Sequence, residues 1–386
     1  MTTASPRRPR ILYVQYTNPA GYPPIEHSVG LFVDAGCDVV LLAVVGAGDR
    51  LRFSERPHVR VRVMRAARPG WRQKLHYARF LAWTCWWAWR WVPTCVYVSD
   101  PLGAPAGVLA ARLFRRRVIY HEHDAPSYAQ PTRFFRLVLS ARRTLARHAV
   151  VSVVPNAARA ETFTRDTGAR HVVVVWNCPR RNEVTPPRTE PMSQVLRVLY
   201  QGSIVPARLP HAVIEAVGRV PSVELTVVGY ETAGAPDYGQ SLLDVAKRVG
   251  AADRVRVAGT TPTRAELMRD CAAFDVGLSL LPERGGDVNE EHMTGASNKP
   301  FDYLACGLAV LVTDRPDWRA LYVEPGFARA CRPHSAESVA DAFAWFAAHG
   351  DETRAMGERG RRRIAEAWCY DEMFVPVLDM ALHGVR

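Results

Sequence analysis

The residues best suited to binding an anion lie in residues 294–314, which read TGASNKPFDYLACGLAVLVTD. A loop of small residues precedes a short predicted helix, and the candidate ligands in the two are Gly295, Ala296, Ser297, Lys299 and Asp302. Backbone N–H groups at a helix N-terminus bind anions, and a carboxylate can accept hydrogen bonds from both hydroxyls of a diol. A phosphate and a diol occur together in a nucleotide, so the segment predicts a nucleotide site. The alternative is an ordinary strand–helix connection.

A second candidate for phosphate binding follows the strand-like segment VLRVLYQGS. Gly202 and Ser203 end this segment, and Arg208 lies in the loop after it. A guanidinium is always charged and can bond two phosphate oxygens at once. We therefore expect Arg208 to neutralise a diphosphate, with a solvated surface loop as the alternative.

A cluster of polar residues, His121, Glu122, His123 and Asp124, follows a strand-like segment directly. Functional groups gather at the carboxyl ends of parallel strands, so we expect the cluster to face a ligand. Two histidines and two acids suggest a metal centre, but successive side chains of an extended segment point to opposite sides and cannot converge on one ion. A surface-exposed cluster without a ligand is the remaining alternative.

The elements that position these residues alternate between strand and helix patterns along the whole chain. RILYVQY (residues 10–16) and CDVVLLAVV (residues 37–45) read as buried strands, and a helical stripe separates them. Gly21 lies in the turn-rich loop after the first strand, but no GxGxxG is completed, so a dinucleotide site is weakly supported. The alternation predicts an α/β protein with parallel sheets.

Length and composition indicate two domains and an anionic partner. A chain of 386 residues is long for one core, and residues 179–193 have the Pro-rich, aperiodic composition of a linker. The net charge of +12 favours nucleic acid, an anionic membrane or a phosphorylated substrate. The eight cysteines contain no CxxC pair, so neither a zinc site nor a disulfide framework is indicated, and a cytoplasmic location fits best.

Tryptophan and arginine are concentrated in residues 65–92, which read RAARPGWRQKLHYARFLAWTCWWAWRWV. The apolar part is too short to span a bilayer, but indole rings flanked by cations suit a helix lying in the headgroup region. We therefore consider peripheral contact with the inner face of the membrane. A helix packed on the sheet is an equal alternative, and stacking on nucleic acid is an unlikely third.

Several of these motifs resemble those of retaining glycosyltransferases with the GT-B fold, especially family four. In that family an acidic residue followed by Tyr-Leu-Ala-Cys-Gly, or a similar run, binds the nucleotide ribose, as Asp302 and its successors would here. The family also carries a histidine and an acid after the corresponding strand, which match His123 and Asp124, and the histidine contacts the transferred sugar. Gly21 would lie in the loop that helps to hold acceptor and phosphate.

The resemblance implies two Rossmann-like domains facing a central cleft. We predict an N-terminal domain of residues 1–180, a linker of residues 181–194 and a C-terminal donor domain of residues 195–367. A final helix, residues 368–386, would cross back to the N-terminal domain.

The implied activity is transfer of a sugar from a nucleoside diphosphate sugar with retention of configuration. A lipid-linked saccharide or another glycoconjugate is the favoured acceptor, as in polysaccharide or glycoconjugate biosynthesis. No cofactor or divalent metal is expected, because the chain has no Asp-x-Asp triplet and the fold neutralises diphosphate with basic side chains and amides.

The sequence departs from the family pattern at two positions. Thr294 stands where the first of two spaced glutamates is usual, and Ser203 replaces a basic residue, which leaves Arg208 alone. Glu290 or Glu291 could compensate for the missing acid. A GT-B-like sugar-nucleotide epimerase and an inactive nucleotide-binding or membrane-surface module are therefore alternative functions.

Overall fold

The computed structural model describes residues 8–46, 49–126, 131–188, 190–232 and 234–384, and the chain divides into two compact units. The first unit comprises the chain through Trp176 together with the residues from Tyr370 onward. The second unit comprises Asn177–Cys369.

The first unit is built on a parallel sheet that, within the described residues, has seven strands. The strands are β1 (Arg10–Gln15), β2 (Asp38–Val45), β3 (Val59–Arg65), β4 (Cys95–Ser99), β5 (Arg117–His121), β6 (Val151–Val154) and β7 (Val172–Val174). The helices between them are α1 (Pro23–Asp34), α2 (Trp71–Arg90), α3 (Asp100–Phe114), α4 (Arg133–His148) and α5 (Ala157–Thr167).

The strand order β3-β2-β1-β4-β5-β6-β7 creates a reversal point at the carboxyl ends of β1 and β4. The inner strands are nearly continuous apolar runs because helices cover both faces of a parallel sheet. Gln15, Ser99 and His121 are register partners across β1, β4 and β5, so their side chains share one face at this point. Ligands of open α/β sheets bind at such a reversal.

The second unit is built on a parallel sheet that has six strands among the described residues, in the order β10-β9-β8-β11-β12-β13. The strands are β8 (Leu196–Ile204), β9 (Val223–Glu231), β10 (Val255–Gly259), β11 (Val276–Ser279), β12 (Ala309–Thr313) and β13 (Ala328–Cys331). The helices are α6 (His211–Arg219), α7 (Tyr238–Arg248), α8 (Arg264–Cys271), α9 (Val288–Glu291), α10 (Asn298–Ala305), α11 (Pro316–Trp318), α12 (Ala336–Ala348) and α13 (Gly350–Glu366). Here the order reverses between β8 and β11, so the end of β8 is the expected ligand position.

The last two helices, α14 (Tyr370–Met373) and α15 (Val375–His383), complete the core of the first unit. Phe374 and Val377 are fully buried in the same cluster as Tyr13 of β1. The Tyr370 hydroxyl donates to the carbonyl of Pro24 at 3.2 Å. The chain therefore ends in the unit in which it begins.

The boundary between the units differs from the predicted boundary. The second unit begins at Asn177, and residues 181–194, which we expected to form a separate linker, belong to it. Arg181–Glu183 forms a 3-10 turn, and the Glu183 carboxylate lies 2.7 Å from Nε of Arg264. Composition alone could not show this ion pair, because its partner lies 81 residues further along the chain.

Gly229 permits a close approach of β8 and β9 at the expected ligand position. Gly202 and Gly229 are register partners, and a Cβ added at Gly229 would overlap the carbonyl oxygen of Gly202. We expect Gly229→Ala to push the strands apart and to lower the free energy of unfolding by roughly 1–3 kcal/mol, measured by urea denaturation.

Gly234→Ala is the matched control, because a Cβ at Gly234 meets no atom closer than 3.9 Å. An unchanged stability in Gly229→Ala would contradict the close approach.

Candidate functional site

Lys299, in the first turn of α10, is a buried cation at the end of β8. Only 8% of the residue is exposed, and Nζ lies 3.3 Å from the Tyr200 hydroxyl and 4.6 Å from the centroid of the Tyr200 ring. A Cβ at Gly202 would lie 2.6 Å from Cε of Lys299, and the φ of Gly202 is +119°. Glycine at position 202 is thus required both for the backbone conformation and for the lysine.

Lys299 and Arg208 form a pair of cations without a carboxylate partner in the part of the chain that the structure describes. Burial lowers the pKa of Lys299 well below its ordinary value, and the positive charge of Arg208 lowers it further. A buried ammonium beside a second cation is costly unless an anion neutralises them. The two side chains are therefore the candidate anion ligands of this unit, and Lys299 is the candidate for the basic group that Ser203 does not provide.

Ser203 contributes its backbone to this site. The Tyr200 hydroxyl donates to the Ser203 carbonyl at 2.5 Å and accepts from Lys299. The tyrosine thereby links the lysine to the end of β8. The local sequence signal for this arrangement is weak, because Tyr200 and Lys299 are 99 residues apart.

Asp302 is fully buried, and both of its carboxylate oxygens are bonded to protein groups. Arg264 lies 2.7 Å from Oδ1 and 3.2 Å from Oδ2. Asn298 and Gln201 donate to Oδ2 at 2.8 and 3.2 Å. Oδ2 thus accepts from Arg264, Asn298 and Gln201, whereas Oδ1 accepts only from Arg264 among the described residues, and the ribose contact stays a prediction.

Arg264, which the sequence analysis did not identify, connects Asp302 to the segment before β8. Its guanidinium bonds both Asp302 and Glu183. Burial lowers the pKa of Arg264, but the two carboxylates outweigh this effect and hold it well above its ordinary value. The only local signal was its position as the first residue of α8 after the cap Thr263.

The backbone amides predicted to bind phosphate are largely used within the loop. The N–H groups of Ala296 and Ser297 both donate to the carbonyl of Met293 at 3.0 Å. Gly295 adopts a φ of +75°, and its carbonyl accepts from the N–H of Asn177. These bonds close the turn before Lys299 and occupy the amides of Ala296 and Ser297.

The missing acid at Thr294 is not replaced by the residues we had considered. Glu290 instead accepts from the N–H of Gly286 at 2.9 Å, while the carbonyls of Glu290 and Glu291 accept from Arg315. The carboxylate next to Thr294 is that of Asp317, which accepts from the threonine hydroxyl at 2.7 Å.

In the first unit, His121 and His123 lie ring to ring at the carboxyl end of β5. Their centroids are 3.9 Å apart. Nδ1 of His121 lies 2.6 Å from the Tyr97 hydroxyl, and Nε2 of His123 lies 2.9 Å from the Ser99 hydroxyl. Nε2 of His121 and Nδ1 of His123 are buried without a hydrogen-bond partner in the described residues. Each ring thus keeps one buried nitrogen whose hydrogen-bonding capacity is unused among the described residues.

Both histidines are neutral at physiological pH. Burial lowers the pKa of His123 to about 3, with a further contribution from Arg159. Burial and the neighbouring His123 also lower the pKa of His121. They therefore offer hydrogen bonds and no charge.

The acids of the cluster point away from this pair. Glu122 is buried against Arg142, with 2.6 Å between Oε1 and Nη2, and accepts from Tyr120. Asp124 is 70% exposed and lies 3.4 Å from Arg159. Among the described residues there is no group of three or more His, Cys, Asp or Glu side chains that could hold an ion.

Asp100 is a second residue that the sequence analysis missed. It has a φ of +61° directly after β4 and accepts from the N–H of His123 at 3.0 Å. Burial of its carboxyl raises the pKa of Asp100 to about 8, although the amide of His123 opposes the shift. Asp100 thus fixes the backbone that carries His123. Gly21, by contrast, is exposed and ends a 3-10 turn.

Two family models match the chain. Residues 25–178 match the model described as a glycosyl transferase 4-like domain, and residues 209–379 match the model described as glycosyl transferase-like. A comparison with curated proteins found no match.

Solved structures of similar fold include sucrose-phosphate synthase from Thermosynechococcus elongatus, with a TM-score of 0.71, 16% identity and coverage of 96% of this chain and 97% of that one. Anabaena HepE in complex with UDP and glucose has a TM-score of 0.68 and 18% identity, with coverage of 96% and 98%. WaaG, a glycosyltransferase involved in lipopolysaccharide biosynthesis, has a TM-score of 0.65 and 13% identity, with coverage of 97% and 100%. At these identities the likeness shows the fold.

Two Rossmann-like units with parallel sheets, matched over nearly their whole length by such structures, define the GT-B fold. The chain belongs to the glycosyltransferases of the family-four-like, or group 1, type, because the two family models match most of both units. These findings confirm the fold and the enzyme class expected from the sequence.

Removing the cation that holds Asp302 should destabilise the second unit. We expect Arg264→Leu to lower the free energy of unfolding by roughly 3–5 kcal/mol, because it leaves a buried carboxylate without a charged partner. Urea denaturation measures the loss, and adding Asp302→Asn should recover part of it because the amide carries no charge.

Arg269→Leu is the control, since Arg269 lies on the exposed side of the same helix. Equal losses in the two arginine variants would contradict the role of the ion pair.

Proposed function

We propose that the chain transfers a sugar from a nucleoside diphosphate sugar to an acceptor hydroxyl, with retention of configuration. The observation that carries this proposal is the buried Lys299 beside Arg208, without a carboxylate partner among the described residues. HepE, a structure of similar fold, was solved with UDP and glucose, and that chemistry fits an anion site of two cations. The group 1 family membership supports retention.

The two cations would act on the leaving group. Departure of the nucleoside diphosphate builds negative charge next to an oxocarbenium-like sugar, and fixed cations stabilise that charge. Lys299 is held by Tyr200 and Gly202, so little reorganisation is needed when charge develops. We propose that these side chains neutralise the diphosphate without a divalent ion.

His123 would bond a hydroxyl of the transferred sugar. Its Nδ1 is unpartnered within the described part of the chain, and the lowered pKa keeps the ring neutral. A neutral imidazole can donate or accept one hydrogen bond to a hydroxyl, but it would not exchange a proton as an imidazolium. Its contribution is orientation of the sugar.

We propose a lipid-linked saccharide or another glycoconjugate as the acceptor. This choice follows from the basic, aromatic segment of residues 65–92 and from the excess of positive charge. The direct test is release of UDP or GDP from labelled donor sugars with and without lipid-linked acceptors. Acceptor-dependent release supports transfer, whereas isomerised donor without an acceptor, as an epimerase would form, overturns it.

Loss of the Lys299 ammonium should weaken nucleotide binding. We expect Lys299→Met to weaken UDP or GDP binding by about 10- to 100-fold, because a charge-assisted hydrogen bond to the diphosphate is lost. The same variant should have a higher melting temperature without ligand, because it no longer buries an ammonium. Isothermal titration calorimetry and thermal unfolding measure the two effects.

Stability should also depend on pH through this residue. Since the pKa of Lys299 is lowered in the folded chain, the unfolded chain binds the proton more tightly. Stability therefore rises as the pH increases from the lowered value toward the ordinary pKa of about 10.4, and Lys299→Met should remove that rise. Lys247→Met, at a 69% exposed lysine, is the control. Nucleotide affinity unchanged in Lys299→Met would contradict the assignment.

Loss of the His123 ring should slow turnover without weakening nucleotide binding. We expect His123→Ala to lower kcat by about 10- to 100-fold with little change in nucleotide affinity, because the lost hydrogen bond is to the sugar. Steady-state kinetics and calorimetry separate the two quantities. His148→Ala, at an exposed histidine of α4, should leave both unchanged. Since the pKa of His123 is about 3, an activity change near pH 6.5 that disappears in His123→Ala would contradict a neutral ring.

A further inference from the structure

Helix α2 carries large apolar side chains on its outward face as well as on the face that covers the sheet. The inward positions Phe80, Thr84 and Ala88 are fully buried, and two of these side chains are small. The outward stripe recurs at helical spacing and includes the exposed residues Trp71, Leu75, Trp86 and Trp89. A helix stabilised only by its packing on the sheet needs no apolar stripe on its outward face.

The exposure of this stripe is large. Trp71 is 70% exposed, Trp89 62%, Leu75 55% and Trp86 49%. The remaining tryptophans of the segment, Trp83, Trp87 and Trp91, pack against the core cluster that contains Phe80. The tryptophans that pack against the core thus hold the helix in place, whereas the residues of the outward stripe remain exposed.

The charge around the stripe is of one sign. Residues 59–99 contain eight Lys and Arg residues and no Asp or Glu, so they carry eight of the twelve net positive charges. All eight are exposed, namely Arg60, Arg62, Arg65, Arg68, Arg72, Lys74, Arg79 and Arg90. Within the described residues none of them pairs with a carboxylate.

The edge strand β3 continues the basic surface. Met64 packs in the cluster that α2 covers, so strand alternation places Arg60 and Arg62 on the same side of the sheet. Within the described residues β3 is the edge strand of the sheet, so no strand pairs with its outer edge.

We propose that the outward face of α2, with the arginines of β3, binds an anionic membrane surface. Exposed indoles among cations fit the headgroup region, where the rings insert and the cations contact lipid phosphates. No helix among the described residues is long and apolar enough to cross a bilayer, so the contact is interfacial. A second copy of the chain would present the same positive charge and be repelled. The inference is independent of the proposed reaction.

The test is flotation of the full chain with vesicles of phosphatidylglycerol and phosphatidylcholine, compared with phosphatidylcholine alone. We expect binding to the anionic vesicles that weakens as salt increases. Replacing Arg72, Lys74 and Arg79 with Gln should reduce partitioning by about 100-fold at low salt, since each surface charge contributes roughly fivefold. The variant Trp71→Gln, Leu75→Gln, Trp86→Gln, Trp89→Gln should abolish the insertion.

Matched controls separate this surface from general charge and apolarity. Val375→Gln changes an apolar residue that is 56% exposed on α15, and Lys247→Gln with Arg248→Gln removes two charges from α7. Both should bind as the unchanged chain does, and thermal melts should show that every variant is folded. Absence of binding at low salt, or equal loss in the controls, overturns the proposal. Preferential binding of single-stranded oligonucleotides, lost in the tryptophan variant, would assign the surface to nucleic acid instead.

Discussion

The buried ion pair between Arg264 and Asp302 is the interaction on which the geometry of the second unit depends. It joins α8 to α10, and through Glu183 it also holds the segment before β8. A fully buried carboxylate is tolerated only when its charge is paired and its oxygens are bonded, as they are here. Because α10 also carries Lys299, this ion pair determines where the buried ammonium lies.

Two buried cations of the second unit, Arg264 and Lys299, differ in whether a carboxylate compensates their charge. The guanidinium of Arg264 is satisfied by two carboxylates, and it acts as a structural clamp. Among the described residues, the ammonium of Lys299 has the Tyr200 hydroxyl as its only hydrogen-bond partner and lies near another cation, so its burial is unfavourable without an anion. This uncompensated positive charge of Lys299 supports the proposal that the site binds a diphosphate.

The candidate ligands of the first unit differ from those of the second, because burial keeps the rings of His121 and His123 neutral. Asp100, in an unusual backbone conformation for a residue with a side chain, fixes the loop after β5 by accepting from the N–H of His123. A residue with a side chain keeps a positive φ only where the surrounding structure holds it there, and such residues are often found in functional loops. The ring nitrogens left unpartnered in the described residues can then orient hydroxyl groups without adding charge.

The sequence by itself determined the fold class and indicated which segments hold the candidate sites. Apolar strands alternating with helical stripes specify parallel sheets, and polar residues after strand ends mark where ligands bind, because both signals are local. Only the tertiary structure decided the partners of each residue. Asp302 has its cationic partner in Arg264, 38 residues earlier, and Lys299 has its hydroxyl partner in Tyr200, 99 residues earlier. Such long-range pairings decide burial and charge compensation, and no local pattern of residues encodes them.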